Sequence, residues 1–212
     1  MRPFFAVHFF VFLCQAGDLE SARDRQDRAA LAKLATGSPY RIALAQSYLS
    51  EVALELRDKR EARTAAETGI AAAREALAAE PNKAEYHRLL GTLCGQVIPA
   101  DPLAGLQHGK CAKQEIERAL GLDPKSALAW VSSGVGKYYL PPMLGGGVEL
   151  ALKDFEKAAA LQPQLAEAWL WIGLAQRKAG RSPQARKALE KALALNPQRI
   201  WIKQQLEKTP AP

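Results

Sequence analysis

Aromatic residues make up only 7% of this 212-residue sequence, and they are unevenly placed. Five of the six Phe fall in the first twelve residues (Phe4, Phe5, Phe9, Phe10, Phe12), which leaves the rest of the chain one Phe for its core. That core has to come from Ala and Leu, the strongest helix formers, so an all-α fold is expected. Three Cys are too few for a disulfide-dense miniprotein. Beyond residue 16 the only His are His87 and His108, which are not at helical pair spacing, so the pattern offers no metal site. Gly145-Gly146-Gly147 runs into Val148-Glu149, and Gln107-His108-Gly109-Lys110-Cys111 lacks the earlier glycine of a phosphate loop. Glu75, Glu117, Glu156 and Glu190 lie among Lys and Arg at helical spacing and read as solvated faces. The expectation is a chain that is not an enzyme and has no cofactor. Its net charge of +7 is spread along the chain without interleaved aromatics, which gives no support to a nucleic-acid partner.

Charge is absent over residues 3–17, where an apolar run from Phe4 to Leu13 follows Arg2 and leads into Cys14-Gln15-Ala16. This layout predicts a secretory signal peptide over 1–16, a chain starting at Gly17 after cleavage, and a periplasmic or extracellular location. The run is about half of the roughly 20 residues a membrane-spanning helix needs, so no transmembrane segment is expected in the remaining chain. A lipoprotein anchored at Cys14 is a poorer fit because the preceding Leu13 is bulky. An apolar segment of an unexported protein is the other alternative.

Four stretches repeat one pattern: 73–87, 116–130, 155–169 and 189–203. Each is an Ala-rich apolar helical stripe that breaks at a proline and starts a new helix shortly after. The prolines, Pro81, Pro124, Pro163 and Pro197, are 43, 39 and 34 residues apart. In the last unit, counted from Ala166, Trp169 is fourth, Ile172 seventh, Gly173 eighth, Ala185 twentieth, Leu189 twenty-fourth, Ala192 twenty-seventh and Pro197 thirty-second. The third unit keeps Ala127, Trp130, Gly134, Ala151, Phe155, Ala158 and Pro163. The second keeps Ala84, Leu90, Gly91, Ala112, Ile116, Ala119 and Pro124. The first is degenerate.

This series resembles the tetratricopeptide repeat (TPR) family, whose period is 34 residues. Gln176 departs from it, standing where the family usually has Tyr. The resemblance implies helix-turn-helix units stacked into a right-handed superhelical solenoid. It divides the chain into an N-terminal helix at 17–37, repeats at 38–81, 82–124, 125–163 and 164–197, and a capping helix and tail at 198–212. It also implies a scaffold that binds a protein or peptide in its concave groove. The groove positions carried over are Leu128, Val131, Val135, Tyr138 and Tyr139 in the third repeat. In the fourth they are Glu167, Leu170, Leu174, Arg177 and Lys178. The second offers a polar set, Glu85, Arg88, Thr92, Gly95 and Gln96. The apolar half is either an open binding surface or is covered by the 138–147 insertion or the C-terminal helix, with Trp201 over Leu170 and Leu174. His87 takes a fourth, packing position of a repeat.

Leu140, Met143 and Leu144 make the Pro-then-Gly insertion at 138–147 too apolar for a free loop, so it is expected to fold back. That insertion is similar to one in exported TPR proteins of the TatT type, a component of periplasmic TRAP transporters. The alternative function this implies is a transport component that holds a small apolar ligand or docks a solute-binding protein. Cys94 and Cys111 fall on the two helices of the second repeat, where they form either a disulfide or two buried free thiols.

Overall fold

A computed structural model describes residues 17–210, and every regular element among them is helical. The chain runs through α1 (17–24), α2 (Arg28–Leu34), α3 (Pro39–Glu55), α4 (Lys59–Ala79), α5 (Ala84–Ala100) and α6 (Gly105–Leu122). It continues through α7 (Ala127–Tyr139), α8 (Val148–Leu161), α9 (Ala166–Lys178), α10 (Ser182–Leu195) and α11 (Ile200–Glu207). Short 3-10 turns at Pro102–Ala104 and Pro142–Leu144 interrupt the second and third repeats. The pairs α3/α4, α5/α6, α7/α8 and α9/α10 pack within each repeat, and α3, α5, α7 and α9 also touch in series. This is the TPR solenoid.

The repeated proline acts through its neighbour. Proline disfavours the α conformation in the residue before it. Accordingly α4, α6, α8 and α10 each end at that residue. Glu80, Asp123, Gln162 and Asn196 have φ between −133° and −139°, and each backbone N–H bonds the carbonyl of Ala76, Ala119, Ala158 or Ala192. The fourth residue of the following helix then locks the turn. Trp130 Nε1 donates to the Pro124 carbonyl and Trp169 Nε1 to that of Pro163, both at 2.9 Å. His87 takes the same place, with Nε2 2.9 Å from the Pro81 carbonyl and Nδ1 2.6 Å from Glu115. Both ring nitrogens face acceptor oxygens, so the imidazole packs as a hydrogen-bonded turn lock.

Glycine at the eighth position sets how closely the paired helices approach. A Cβ on Gly134 would sit 2.4 Å from the Phe155 ring, and one on Gly173 would sit 2.6 Å from Leu189. The aromatic and aliphatic partners fill the space the missing side chain leaves. Phe155, Leu170, Leu189 and Ile202 are buried in the C-terminal core, and Leu89, Leu93, Cys94 and Val97 in the middle one. A third cluster joins Leu19 and Leu31 to Leu49 and Val52, so the N-terminal segment caps α3.

Two expectations need correction. The N-terminal segment is two helices rather than one, because Gln26 takes a left-handed φ of 54° and Asp27 then caps α2 through a bond from Ala30 N. The 138–147 insertion does not bury its apolar side chains. Its backbone is tied, with Gly147 N donating to Lys137 O at 2.8 Å and Gly146 N to Pro141 O at 3.1 Å. Leu140, Met143 and Leu144 nevertheless face outward. Two prolines and a 3-10 turn spend the loop's length on closing itself, and no stretch is left to reach back over the groove.

Candidate functional site

The concave layer of α3, α5, α7 and α9 has two unlike ends, and the chain's own termini close both. At one end the closure is ionic. Arg199, in the turn before α11, has a side chain only 1% exposed. Its Nη2 donates to Glu51 Oε1 at 2.7 Å and to Glu55 Oε1, and its Nη1 donates to the Arg23 carbonyl at 3.1 Å. Its Nε has no hydrogen bond but lies 3.7 Å from Asp24 Oδ1. Asn196 Nδ2 donates to Asp24 Oδ2 at 2.8 Å, and Gln26 Nε2 donates to Glu55 Oε2 at 2.8 Å. The last repeat's turn is thereby fastened to the α1–α2 corner and to α3.

Arg23 adds a second cation, paired with Asp24 at 2.9 Å and lying over the Tyr48 ring at 4.8 Å. Carboxylates outnumber these two guanidinium groups, because Asp24, Glu51, Glu55 and Glu167 all share the space. Burial therefore pushes the Glu55 carboxyl up to about 8, against the attraction of Arg199 and with help from Glu51. Burial raises Glu167 too, followed by repulsion from Glu51. None of these groups except Glu167 was singled out from sequence. The contacts join residues 144 to 176 positions apart, for which a repeat pattern carries no signal.

At the other end the closure is apolar. Leu170 and Leu174, two expected groove residues, are buried in the C-terminal core beside Ile202 of α11. The Trp201 and Trp171 rings meet edge-on at 5.9 Å, and Trp171 also stacks on Phe155 at 5.8 Å. Arg177 seals the cover by donating to the Gln205 carbonyl at 3.0 Å, to Gln205 Oε1 at 2.6 Å and to Thr209 Oγ1 at 3.1 Å. The C-terminal helix is thereby fastened to α9.

The other expected residues divide by depth. Val131 is buried, Val135 packs half-buried on the same core, and Leu128 is exposed at the start of α7. Tyr138 is half-buried under Lys178, whose Nζ lies 4.1 Å from the ring and donates to the Tyr138 carbonyl at 2.6 Å. Tyr139 is 62% exposed. In the middle repeat Arg88 is buried and doubly bonded to Glu85, at 2.6 and 2.7 Å. Thr92 meets Ser132 at 3.0 Å, Gln96 donates to the Ser47 carbonyl at 3.1 Å, and Gly95 leaves only Ala112 within reach of a Cβ. The polar half of the groove thus bonds largely to itself.

The sulfurs of Cys94 and Cys111 lie 2.04 Å apart, with Cα atoms at 6.0 Å, and join α5 to α6. One buried feature had no sequence signal at all. Asp154 of α8 accepts from Ser133 Oγ and pairs with Lys137, both at 2.6 Å, which pins α8 to α7 beneath the insertion. His108 lies partly exposed on α6, and no group of three His, Cys, Asp or Glu among the described residues could hold a metal ion. No helix among them is long and apolar enough to cross a membrane.

Comparison with known proteins fits this geometry. Residues 166–199 match the tetratricopeptide repeat model. A thermophilic TPR protein from Thermus thermophilus superposes with a TM-score of 0.59 over 95% of each chain, at 18% identity, which shows the fold alone. Residues 20–140 match the model for "Regulator of microtubule dynamics protein 1-3". Regulator of microtubule dynamics protein 3 of Bos taurus is 28% identical over 173 residues, which is 74% of this chain and 36% of the relative. The Rattus norvegicus protein of that name is 28% identical over 184 residues, 77% of this chain and 38% of the relative. The chain therefore spans well under half the length of these relatives.

These relatives overturn the expected periplasmic or extracellular location, and none of these matches supports the TatT-type role. They are mammalian proteins named for microtubules, which are a polymer of the cell interior. The signal-peptide reading of 1–16 behind that expectation lies outside the described residues. With more than half of its length matched by one family's model, the chain belongs to the regulator of microtubule dynamics protein 1-3 family.

Proposed function

We propose that this chain is a non-catalytic TPR adaptor that binds a protein or peptide, and that its partner belongs to the microtubule system named by its relatives. The observation that carries the reading is the family match over the first repeats of a solenoid of recognition type. The surface is the strip of α7 left between the two closures. Leu128 and Tyr139 are its exposed ends, and Val131, Val135 and Tyr138 form its apolar floor. An exposed aromatic beside a buried apolar floor is the usual make-up of an interface anchor. Leu170, Leu174 and Arg177 contribute indirectly, by holding α11 in place.

The test is co-sedimentation of the full chain with stabilised microtubules and with a microtubule-binding extract, comparing wild type with Leu128→Asp and Tyr139→Ala. Binding that falls with both substitutions, at unchanged melting temperature, supports the reading. Binding that ignores both, or no binding to either preparation, overturns it.

A further inference from the structure

Antiparallel pairing sends the turns inside the repeats to one edge of the helix stack and the turns between repeats to the other. The inside turns are 56–58, 101–104, 140–147 and 179–181. Arg63 pairs with Asp101 at 2.8 Å across the first two, and Arg181 with Glu149 at 2.8 Å across the last two. Eight large apolar side chains are exposed among the described residues, and all but Leu128 lie on this edge. Leu103 is 92% exposed, Met143 90% and Leu144 64%.

The charges follow the same division. Segments 56–63, 97–113, 137–153 and 177–187 contain thirteen Lys and Arg against four Asp and Glu. The comparable segments of the opposite edge, 74–87, 117–130, 156–169 and 190–203, contain eight of each. One edge is therefore both basic and tipped with several aliphatic side chains, whereas the other is neutral and exposes Leu128 alone of the large apolar residues described. The tips are also held in place. The backbone bonds of the 140–147 turn fix it, and a Cβ on Gly146 would fall 2.0 Å from the Leu140 carbonyl oxygen, so the turn closes only with glycine there.

We propose that this edge docks on the surface of an anionic lipid bilayer. Leu103, Met143 and Leu144 enter the interfacial layer, and the surrounding Lys and Arg meet the headgroup charge. Separate aliphatic tips on successive turns suit a fluid, planar interface, which accepts each one independently. A protein partner would need a pocket for every tip. Basic side chains near an anionic leaflet and apolar side chains at the acyl boundary reinforce one another.

The experiment is sedimentation of the full chain with vesicles of phosphatidylcholine alone and of phosphatidylcholine with phosphatidylserine, at low and high salt. The expected result is binding to the phosphatidylserine vesicles that salt reverses. Combining Leu103→Asp with Met143→Asp should lower the bound fraction about tenfold or more, because each apolar tip becomes a charge. Both sites are exposed, so helicity and melting temperature should not change. Met143→Trp should add an emission component that shifts to the blue on phosphatidylserine vesicles only. Three results would overturn the proposal. One is the absence of phosphatidylserine-dependent binding. Another is full binding by the doubly substituted chain, which places the affinity elsewhere in the sequence. The third is equal binding to soluble polyglutamate that the double substitution leaves intact, which assigns the edge to an acidic protein. None of these measurements depends on a microtubule partner.

Discussion

The two ends of the concave face solve one problem in opposite ways. At the N-terminal end the Arg199 guanidinium is buried among Glu51, Glu55 and Asp24, with Arg23 beside it. At the C-terminal end Trp201 meets Trp171, on a core that also buries Leu170, Leu174 and Ile202. The same short helix and the turn before it supply both covers. The aromatic cover is held by area removed from water, which depends little on pH or salt. In the ionic cover, desolvation of the charges competes with their attraction, and breaking it by removing one partner costs more than the pair contributes. The ends should therefore respond differently to the same perturbation.

The largest effect should come from Arg199→Ala, which leaves the surrounding carboxylates buried without their cation and should cost about 3–5 kcal/mol in urea unfolding. Adding Glu51→Gln and Glu55→Gln to it should recover part of that loss. A cost under about 1 kcal/mol would mean that the termini are not joined through this residue.

Trp171→Ala tests the other end. It removes a ring in contact with Tyr138, Phe155 and Trp201. The expected loss is about 3 kcal/mol, the same at low and high salt. A loss that varied with ionic strength would erase the distinction between the two covers.

Replacing both Cys94 and Cys111 with Ser should cost up to about 3 kcal/mol by the chain-entropy account, and less if the native bond is strained. Thiol counting on the unfolded, unreduced full chain gives an independent answer. The bonded chain exposes Cys14 alone, whereas an unbonded one exposes all three Cys.

The pH response sharpens the contrast further. Glu55 holds its proton in the folded state up to about 8, against an ordinary 4.5 in the unfolded chain. Between these values the folded state binds more protons, so stability should fall as pH rises through that window. Its contribution should be fully present below 4.5 and gone above about 8. Glu55→Gln should flatten that slope, and a slope unchanged by the substitution would assign the dependence to another group.

Tyr139→Ala should give the smallest effect on stability, within about 0.5 kcal/mol, because the side chain is largely exposed. Tyr138→Ala should cost more, since Lys178 and Trp171 both pack on that ring. If Tyr139→Ala were the more costly of the two, the exposed strip on α7 would be structural rather than available for binding.

The spacing of Trp130 and Trp169 after Pro124 and Pro163, and of Gly134 and Gly173 opposite Phe155 and Leu189, could be read directly from the sequence. Each of these contacts lies within a repeat or between neighbouring repeats, so its geometry returns at a fixed interval. His87 fitted the same rule, which is why it reads as a packing residue. The break at Gln26–Asp27 was harder to see, because one backbone angle turns an amphipathic stretch into two helices. The exposure of Met143 and Leu144 is not legible in the sequence, because hydrophobicity alone does not say whether a closed turn has anything within reach to cover it.

The local units follow from the linear chain: four helical pairs, their small-residue contacts and the proline turns that end them. So do the basic excess and the pair of Cys on neighbouring helices. Only folding in three dimensions settled that the superhelix curves far enough for Arg199 to meet Glu51, Glu55 and Asp24. It also placed Trp201 against Trp171 and Gln205 against Arg177, which joins α11 to α9. A superhelix accumulates a small rotation at every repeat, so where its ends meet depends on the sum of all the packing angles, which no single repeat encodes.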